Sequence, residues 1–411
     1  MKVLWFTDTP TLYKKENATY NGSGWIESLE KIFSKKENID LGICFFHNDN
    51  CFKVKTENAT YYPVSLYNSK SKRILHNLNY KKSSNIEVKS FLKVISDFKP
   101  DIIHVFGSEK SFGLITYHIQ IPVVIHIQGI LNPYLNAYYP PGINNFDILK
   151  SLLFKPLSLI NALKVHHFFS TNALRERLIV KNCRNFIGRT DWDKSVNLLL
   201  AREANYYYCS EALRNEFYIS PQWTLKNNTI LKFVTTISKV PYKGLDLILK
   251  TALLLKQTTD IEFEWNVFGV DNYSFWENKF KVTFESVNIK LKGNINAAGL
   301  AYEMNTADLY IHPSYIDNSP NSVCEAQLLG LPVIATYVGG VPTLIENNIT
   351  GILVPANDPY YLAAKIKLLS IDKNLCVKLG ENGRKVAILR HDREKIFKDL
   401  FSIYNSIIYN N

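Results

Sequence analysis

Short apolar runs alternate with longer mixed segments along the whole chain. Residues 3–7, 42–46, 102–106 and 122–127 are apolar and β-rich throughout, and residues 25–34 and 88–98 between them carry apolar positions at helical spacing. Continuous rather than alternating apolar runs are what strands covered on both faces require. After a polar stretch over 220–228 the pattern resumes, with strands predicted at 231–237, 263–268, 289–291, 309–312 and 333–335 and helices at 244–256, 297–304 and 360–369. Strands alternating with helices predict parallel sheets with helices on both faces. The expected architecture is therefore α/β: two Rossmann-like doubly wound domains facing a cleft, 1–222 and 223–388, with a last segment, 389–411, whose amphipathic helix over 394–408 folds back on the first domain. Ligands of such sheets sit outside the carboxyl ends of the strands, so the loops there are where chemistry is expected.

One such loop carries a distinctive stretch, IDNSPNSVCEAQLLGLPVIAT, residues 316–336. Ser319 suits an N-cap and Pro320 the first helical position, so the spacing predicts a helix over 320–329, stopped by Gly330 with Pro332 just beyond. Asp317 then precedes the positive end of a helix and Glu325 lies eight positions further on, inside it. Small polar residues at a helix N-terminus make an anion site. Two flanking carboxylates point to a polyhydroxy ligand that also carries phosphate.

Composition narrows the class. With 46% hydrophobic and 13% aromatic residues among 411, the chain has ample material for two cores and none of the signature of disorder. The start, MKVLWFTDTP, reads as a core strand rather than a signal peptide, and no uncharged apolar run approaches the roughly 18 residues of a membrane span. Six cysteines without a CxxC pair read as reduced thiols, and a cytoplasmic location is expected. The net charge of +11 is concentrated in residues 1–220, which hold 28 basic against 19 acidic side chains. The segment SKSKRILHNLNYKKSS, with Lys70, Lys72, Arg73, Lys81 and Lys82, is either a basic face for anionic lipid at the inner side of a membrane or a product of compositional bias. No nucleic-acid motif accompanies the charge, so nucleic acid is not an expected partner.

Four stretches taken together resemble the retaining glycosyltransferases of family 4, which have the GT-B fold. They are HPSYIDNSPNSVCEAQLLGLPVIATYVGGVPTLIENNITGILV, the Gly22-Ser23-Gly24-Trp25 turn, VVIHIQG with His126, and SKVPYKGLDLIL with Lys243-Gly244. The resemblance is spread over most of the chain and is strongest over 234–355. It implies transfer of a sugar from a nucleotide-diphosphate-sugar donor to a glycan or lipid-linked acceptor, with retention of configuration, in bacterial cell-surface polysaccharide synthesis. No metal or other cofactor is implied. The family's E-x7-E motif falls on Asp317 and Glu325, with Asp in place of the first Glu. By resemblance Glu325 holds the ribose hydroxyls, Asp317 faces the donor sugar, Lys243 meets the pyrophosphate and His126 the sugar. The helix start at Asn318, Ser319, Pro320, Asn321 and Ser322 receives phosphate; Gly293, Asn294 and Ile295 lie against the base; Gly22 and Gly24 let backbone approach the donor or acceptor. An Arg that usually precedes the Lys by about five positions is missing, Ile237-Ser238-Lys239 standing there, so Lys239 or a residue from elsewhere is expected to supply the second charge.

Asp191-Trp192-Asp193 is a DxD, a pattern that binds a divalent cation in the other large glycosyltransferase fold. Two successive α/β domains do not fit that fold, and no metal is expected here. Arg189, Trp192 and Trp25 are assigned to the acceptor side or to interior contacts. Two other readings stay open: a sugar-nucleotide epimerase or phosphorylase on the same fold, and a non-catalytic binding subunit, which the Asp and the missing Arg would suit.

Overall fold

The structure, a computed structural model, describes residues 1–13, 24–48, 52–65, 80–144, 146–147, 156–201, 203–226 and 228–409, the side chains of 80–83 and 156–163 excepted. The chain forms two compact units: Met1–Leu135 with Lys164–Ala212 and Asp392–Asn411, and Asn136–Leu163 with Leu213–His391.

The first unit holds β1 (Lys2–Thr7), β2 (Asp40–Phe46), β3 (Val54–Lys55), β4 (Thr60–Val64), β5 (Ile102–Phe106), β6 (Val123–His126), β7 (Asn185–Gly188) and β8 (Asn205–Tyr208). They make one sheet in the order β3-β4-β2-β1-β5-β6-β7-β8, and only the β3–β4 pair is antiparallel. Successive residues of a strand face opposite sides, and β1 shows the result. Val3 and Trp5 join Leu29 and Phe33 in one apolar cluster, while Leu4 and Phe6 join Phe91 and Ile95 in another. The helix Arg393–Tyr409 lies in the first cluster through Ile396, Leu400, Ile403, Tyr404 and Ile407. Its buried Tyr404 hydroxyl meets Trp5 Nε1 at 3.2 Å and His104 Nδ1 at 2.5 Å. Burial pushes the His104 imidazole down to about 3, so the ring is neutral.

The second unit holds β9 (Leu231–Thr236), β10 (Phe263–Phe268), β11 (Ile289–Gly293), β12 (Leu309–His312), β13 (Val333–Thr336) and β14 (Ile352–Val354). All are parallel, in the order β11-β10-β9-β12-β13-β14. The chain steps outward from β9 to β11 and then returns to start again beside β9, so the sheet divides between β9 and β12.

The sequence-based boundary at 222/223 differs from the observed one at 212/213. Leu213, Phe217 and Trp223 belong to the second unit's apolar core, alongside Val323 and Leu329. Trp223 is tied in by its indole, which donates to the Ala307 carbonyl at 2.8 Å, and by its amide, which donates to the Leu329 carbonyl at 2.8 Å. The second junction, expected at 388/389, lies at His391/Asp392. Cys44, Cys183, Cys209, Cys324 and Cys376 are free and buried, and Cys51 lies outside the described residues. Among the described residues no helix is long and apolar enough to cross a membrane.

Tyr404→Phe leaves two buried nitrogens without an oxygen partner, so a loss of about 1–3 kcal/mol is expected. Urea unfolding of the native chain and the variant measures it, and unchanged midpoints would refute this anchoring of the last helix.

Candidate functional site

Where the second sheet divides, β9 and β12 lie side by side and the chain leaves their carboxyl ends toward opposite edges. This is the position at which doubly wound sheets bind ligands. From β9 the chain passes Lys239 and a single turn, Pro241–Lys243, into the helix Leu245–Thr258. From β12 it passes Pro313 and Asp317 into the helix Asn321–Leu329. Two glycines let these loops run against their neighbours. Gly244 has φ +77° and a Cβ there would collide with the Pro313 carbonyl; Gly339, at φ +50°, abuts the Asp317 carbonyl in the same way. Tyr315 fastens the loops together, its amide donating to Tyr242 O and its hydroxyl to the buried Asp246 Oδ2, both at 2.8 Å. The Gly340 amide donates to Asp317 O at 3.0 Å.

In this frame Lys243 Nζ lies 2.5 Å from Asp317 Oδ2, and His312 Nε2 lies 3.1 Å from the same oxygen. The Asn318 amide donates to Asp317 Oδ1 at 3.1 Å. Burial pushes the Asp317 carboxyl up, but the Lys243 charge and the His312 contact outweigh it and hold the group well below the usual carboxylate range. His312 is itself lowered by burial, so it is a neutral ring at pH 7.

Glu325 is 1% exposed. Its two oxygens accept from Arg214 Nε and Nη2, each at 2.5 Å, a bidentate fork of the strong kind. The helix bearing Glu325 starts one residue later than its sequence predicts. Pro320 occupies the N-cap with extended ψ of 112° and no side-chain cap, and its carbonyl accepts from the Val323 and Cys324 amides. Ser319 is buried instead of capping. The first-turn amides at Asn321 and Ser322 have no acceptor within the helix, and both residues are half-buried.

Other assigned residues lie farther along the second unit's rim. Lys239 is exposed and pairs with Asp271 at 3.8 Å rather than with Asp317. Gly293 ends β11 at φ +67° next to Asp271; Asn294 is exposed and Ile295 lies against Gly299.

The first unit gathers a different set. His126 ends β6, 1% exposed, with the Trp25 and His104 rings each 5.3 Å from its own. Among the described residues neither of its ring nitrogens has a hydrogen-bond partner, and burial, His104 and Arg189 push the imidazole well down. Arg189 stands 5.5 Å from the Trp25 ring and pairs with the buried Glu211 at 3.1 Å. Gly24 begins the helix Gly24–Phe33, whereas Gly22 lies outside the described residues, as do Lys70, Lys72 and Arg73 and the side chains of Lys81 and Lys82. In the DxD, Asp193 closes a capping box with Thr190 at the start of the helix Asp191–Leu200 and accepts from Tyr206, and Trp192 is half-buried against Tyr134.

The structure thus joins Lys243 with Asp317 and adds His312, Tyr315 and Arg214, which the sequence reading did not assign. His312 opens the HPSYID run and was legible there; Arg214 is 111 positions from Glu325 and carries no local signal.

A depressed carboxyl stabilises the fold above its unfolded pKa, and that stability is lost as pH falls through the lower folded value. In Lys243→Met the burial of Asp317 is no longer offset, so its carboxyl rises. A loss of about 3 kcal/mol near pH 7 is expected, with the gap to the native chain narrowing as pH falls toward about 4. Urea midpoints across that range test this; a gap independent of pH would contradict it.

Comparison with known proteins gives this geometry a context. Residues 220–386 match the family described as glycosyl transferases group 1. CapM of Staphylococcus aureus, a capsular polysaccharide biosynthesis glycosyltransferase, is 33% identical over 104 residues, 25% of this chain and 27% of that protein. The chain spans at most about half of the length of the first curated relatives it matches, from 17% to 48%. Sucrose-phosphate synthase from Thermosynechococcus elongatus superposes with a TM-score of 0.74 at 13% identity over 100% of both chains. HepE of Anabaena, solved in complex with UDP-glucose, superposes with a TM-score of 0.66 at 15% identity over 99% of this chain and 100% of that one. The chain has the GT-B fold, two Rossmann-like α/β units each built on a mainly parallel sheet.

Proposed function

We propose that the chain is a retaining glycosyltransferase that uses a nucleotide-diphosphate sugar, without a metal, to glycosylate a glycan or lipid-linked acceptor in cell-surface polysaccharide synthesis. The observation that carries this reading is the pairing of Lys243 with Asp317, beside the buried Glu325, where the second unit's sheet divides. The matched group 1 segment, the capsular role in CapM's name and the UDP-glucose bound to HepE support it.

In this reading Glu325 accepts hydrogen bonds from the ribose hydroxyls, and the amides at Asn321 and Ser322 meet the diphosphate with Lys243. Asp317 accepts from the donor sugar or steadies positive charge at its anomeric carbon. His126, a neutral ring, contributes a polar contact to the sugar. The bond from the anomeric carbon to the donor phosphate breaks and the acceptor oxygen attacks the same face. The acceptor proton passes to the leaving phosphate. Preorganised donors aimed at the departing oxygen are the principal source of acceleration in such a step.

A non-catalytic binding role is favoured by one observation, the compensation of Lys243 by Asp317 in place of a freely presented cation. Turnover separates the two. Nucleotide release from UDP-, GDP- and ADP-sugars, assayed with a chelator present, is expected for one nucleotide class. Lys243→Ala should lower kcat/KM by about 100-fold or more, and Glu325→Ala should weaken nucleotide binding by about 10-fold or more. Release that needs a divalent cation, or that survives both changes, would refute the assignment.

A further inference from the structure

Glu325 is 1% exposed, on a helix whose Val323, Cys324, Ala326, Leu328 and Leu329 belong to the second unit's apolar core. Such surroundings favour the neutral acid. A ribose reader works best as an anion, because an ionised carboxylate is acceptor-only and can take bonds from two adjacent hydroxyls. The Arg214 guanidinium grips both oxygens of this carboxylate, each at 2.5 Å.

Arg214 is itself held on both sides. It precedes the helix Asn215–Ile219, and its guanidinium lies 4.7 Å from the Phe217 ring. The Leu213 amide donates to Tyr218 Oη at 3.2 Å, and Tyr218 Oη donates to the His391 carbonyl at 2.7 Å. Trp223 then fastens the far end of this segment to the Ala307 and Leu329 carbonyls, each at 2.8 Å. A planar guanidinium on a fixed backbone fixes the rotation of the carboxylate it forks, which a lysine cannot do.

We propose that Arg214 is a positioning residue for donor recognition: it keeps Glu325 ionised and turned so that the carboxylate reads the 2′,3′-diol of a ribonucleoside diphosphate, and thereby sets preference for ribose over 2′-deoxyribose. The proposal rests on the ribose assignment of Glu325. Arg214 acts through Glu325 and touches no donor atom.

Calorimetric titration tests it, using UDP, GDP and ADP and then the 2′-deoxy counterpart of whichever binds most tightly. The native chain should prefer the ribose form by about 10-fold or more. Arg214→Ala should bind the ribose form about 10- to 100-fold more weakly, with the ribose-to-deoxy ratio collapsing toward one, as in Glu325→Ala. Arg214→Lys keeps a charge without the fork, and its ratio should fall between those two. Tighter binding by Arg214→Ala would mean that the arginine competes with ribose for the carboxylate, which overturns the proposal. A native ratio retained in Arg214→Ala overturns it while leaving the donor reading intact, whereas a native chain that binds no nucleoside diphosphate overturns both. Should Arg214→Ala fail to fold, the Arg214→Lys ratio decides: a reduced ratio supports the proposal and a native one refutes it.

Discussion

A carboxylate buried at the dividing line of a parallel sheet stays charged only if a cation is built beside it. Isolated, it would be neutralised by its surroundings, since desolvation of an unpaired charge is among the largest penalties in a protein interior. The second unit has two such groups, Asp317 and Glu325, 6% and 1% exposed. Lys243 answers the first and Arg214 the second. Much of the local backbone follows from this requirement. Lys243 reaches Asp317 only because the loops after β9 and β12 run in contact, which requires Gly244 against the Pro313 carbonyl, and Gly339 against Asp317 itself. Tyr315 then spans both loops through Tyr242 and Asp246.

Sequence pattern reveals part of this arrangement because its signals are local. Short, largely apolar runs located β1, β5, β9, β10 and β12, and Gly330 marks the end of the Glu325 helix with φ +88°. Acids eight positions apart around a predicted helix start were sufficient to single out Asp317 and Glu325. The residues that pair them divide along the same line. Lys243 was singled out by the resemblance that the Lys243-Gly244 pair carries, whereas Arg214 meets Glu325 only through the fold. The strands β7 and β8 were missed for a related reason: each is four residues long, and β8, Asn205–Tyr208, is half exposed and reads as tyrosine-rich loop. Proline misled at the helix start, where extended ψ put Pro320 outside the helix that it appeared to open. The DxD shows the opposite failure, a pattern with chemical associations whose second acid is used by a helix cap.

The first unit applies a different solution to buried polarity. His104 and His126, stacked 5.3 Å apart, are pushed toward the neutral form by burial. A neutral imidazole is less costly to bury than a lone ion, and it can offer one donor and one acceptor to an uncharged hydroxyl. Arg189, close by, carries its charge into the interior together with Glu211.

Matched ions also bear on how the proposed transfer would proceed. An ammonium has three donors, so Lys243 can hold Asp317 and still direct an N–H to a phosphate oxygen. While Asp317 compensates its charge, the lysine attracts a ground-state diphosphate less strongly than a free cation would. As the glycosidic bond breaks, negative charge accumulates on the departing phosphate and positive charge on the anomeric carbon. In the proposed transfer lysine and aspartate would then each face a growing opposite charge, and their attraction to each other would give way to attraction to the reacting atoms. Interactions that strengthen only in the transition state accelerate a reaction, whereas those already complete in the ground state do not. Asp317 lies within direct reach of Lys243 and His312, both of which hold it ionised.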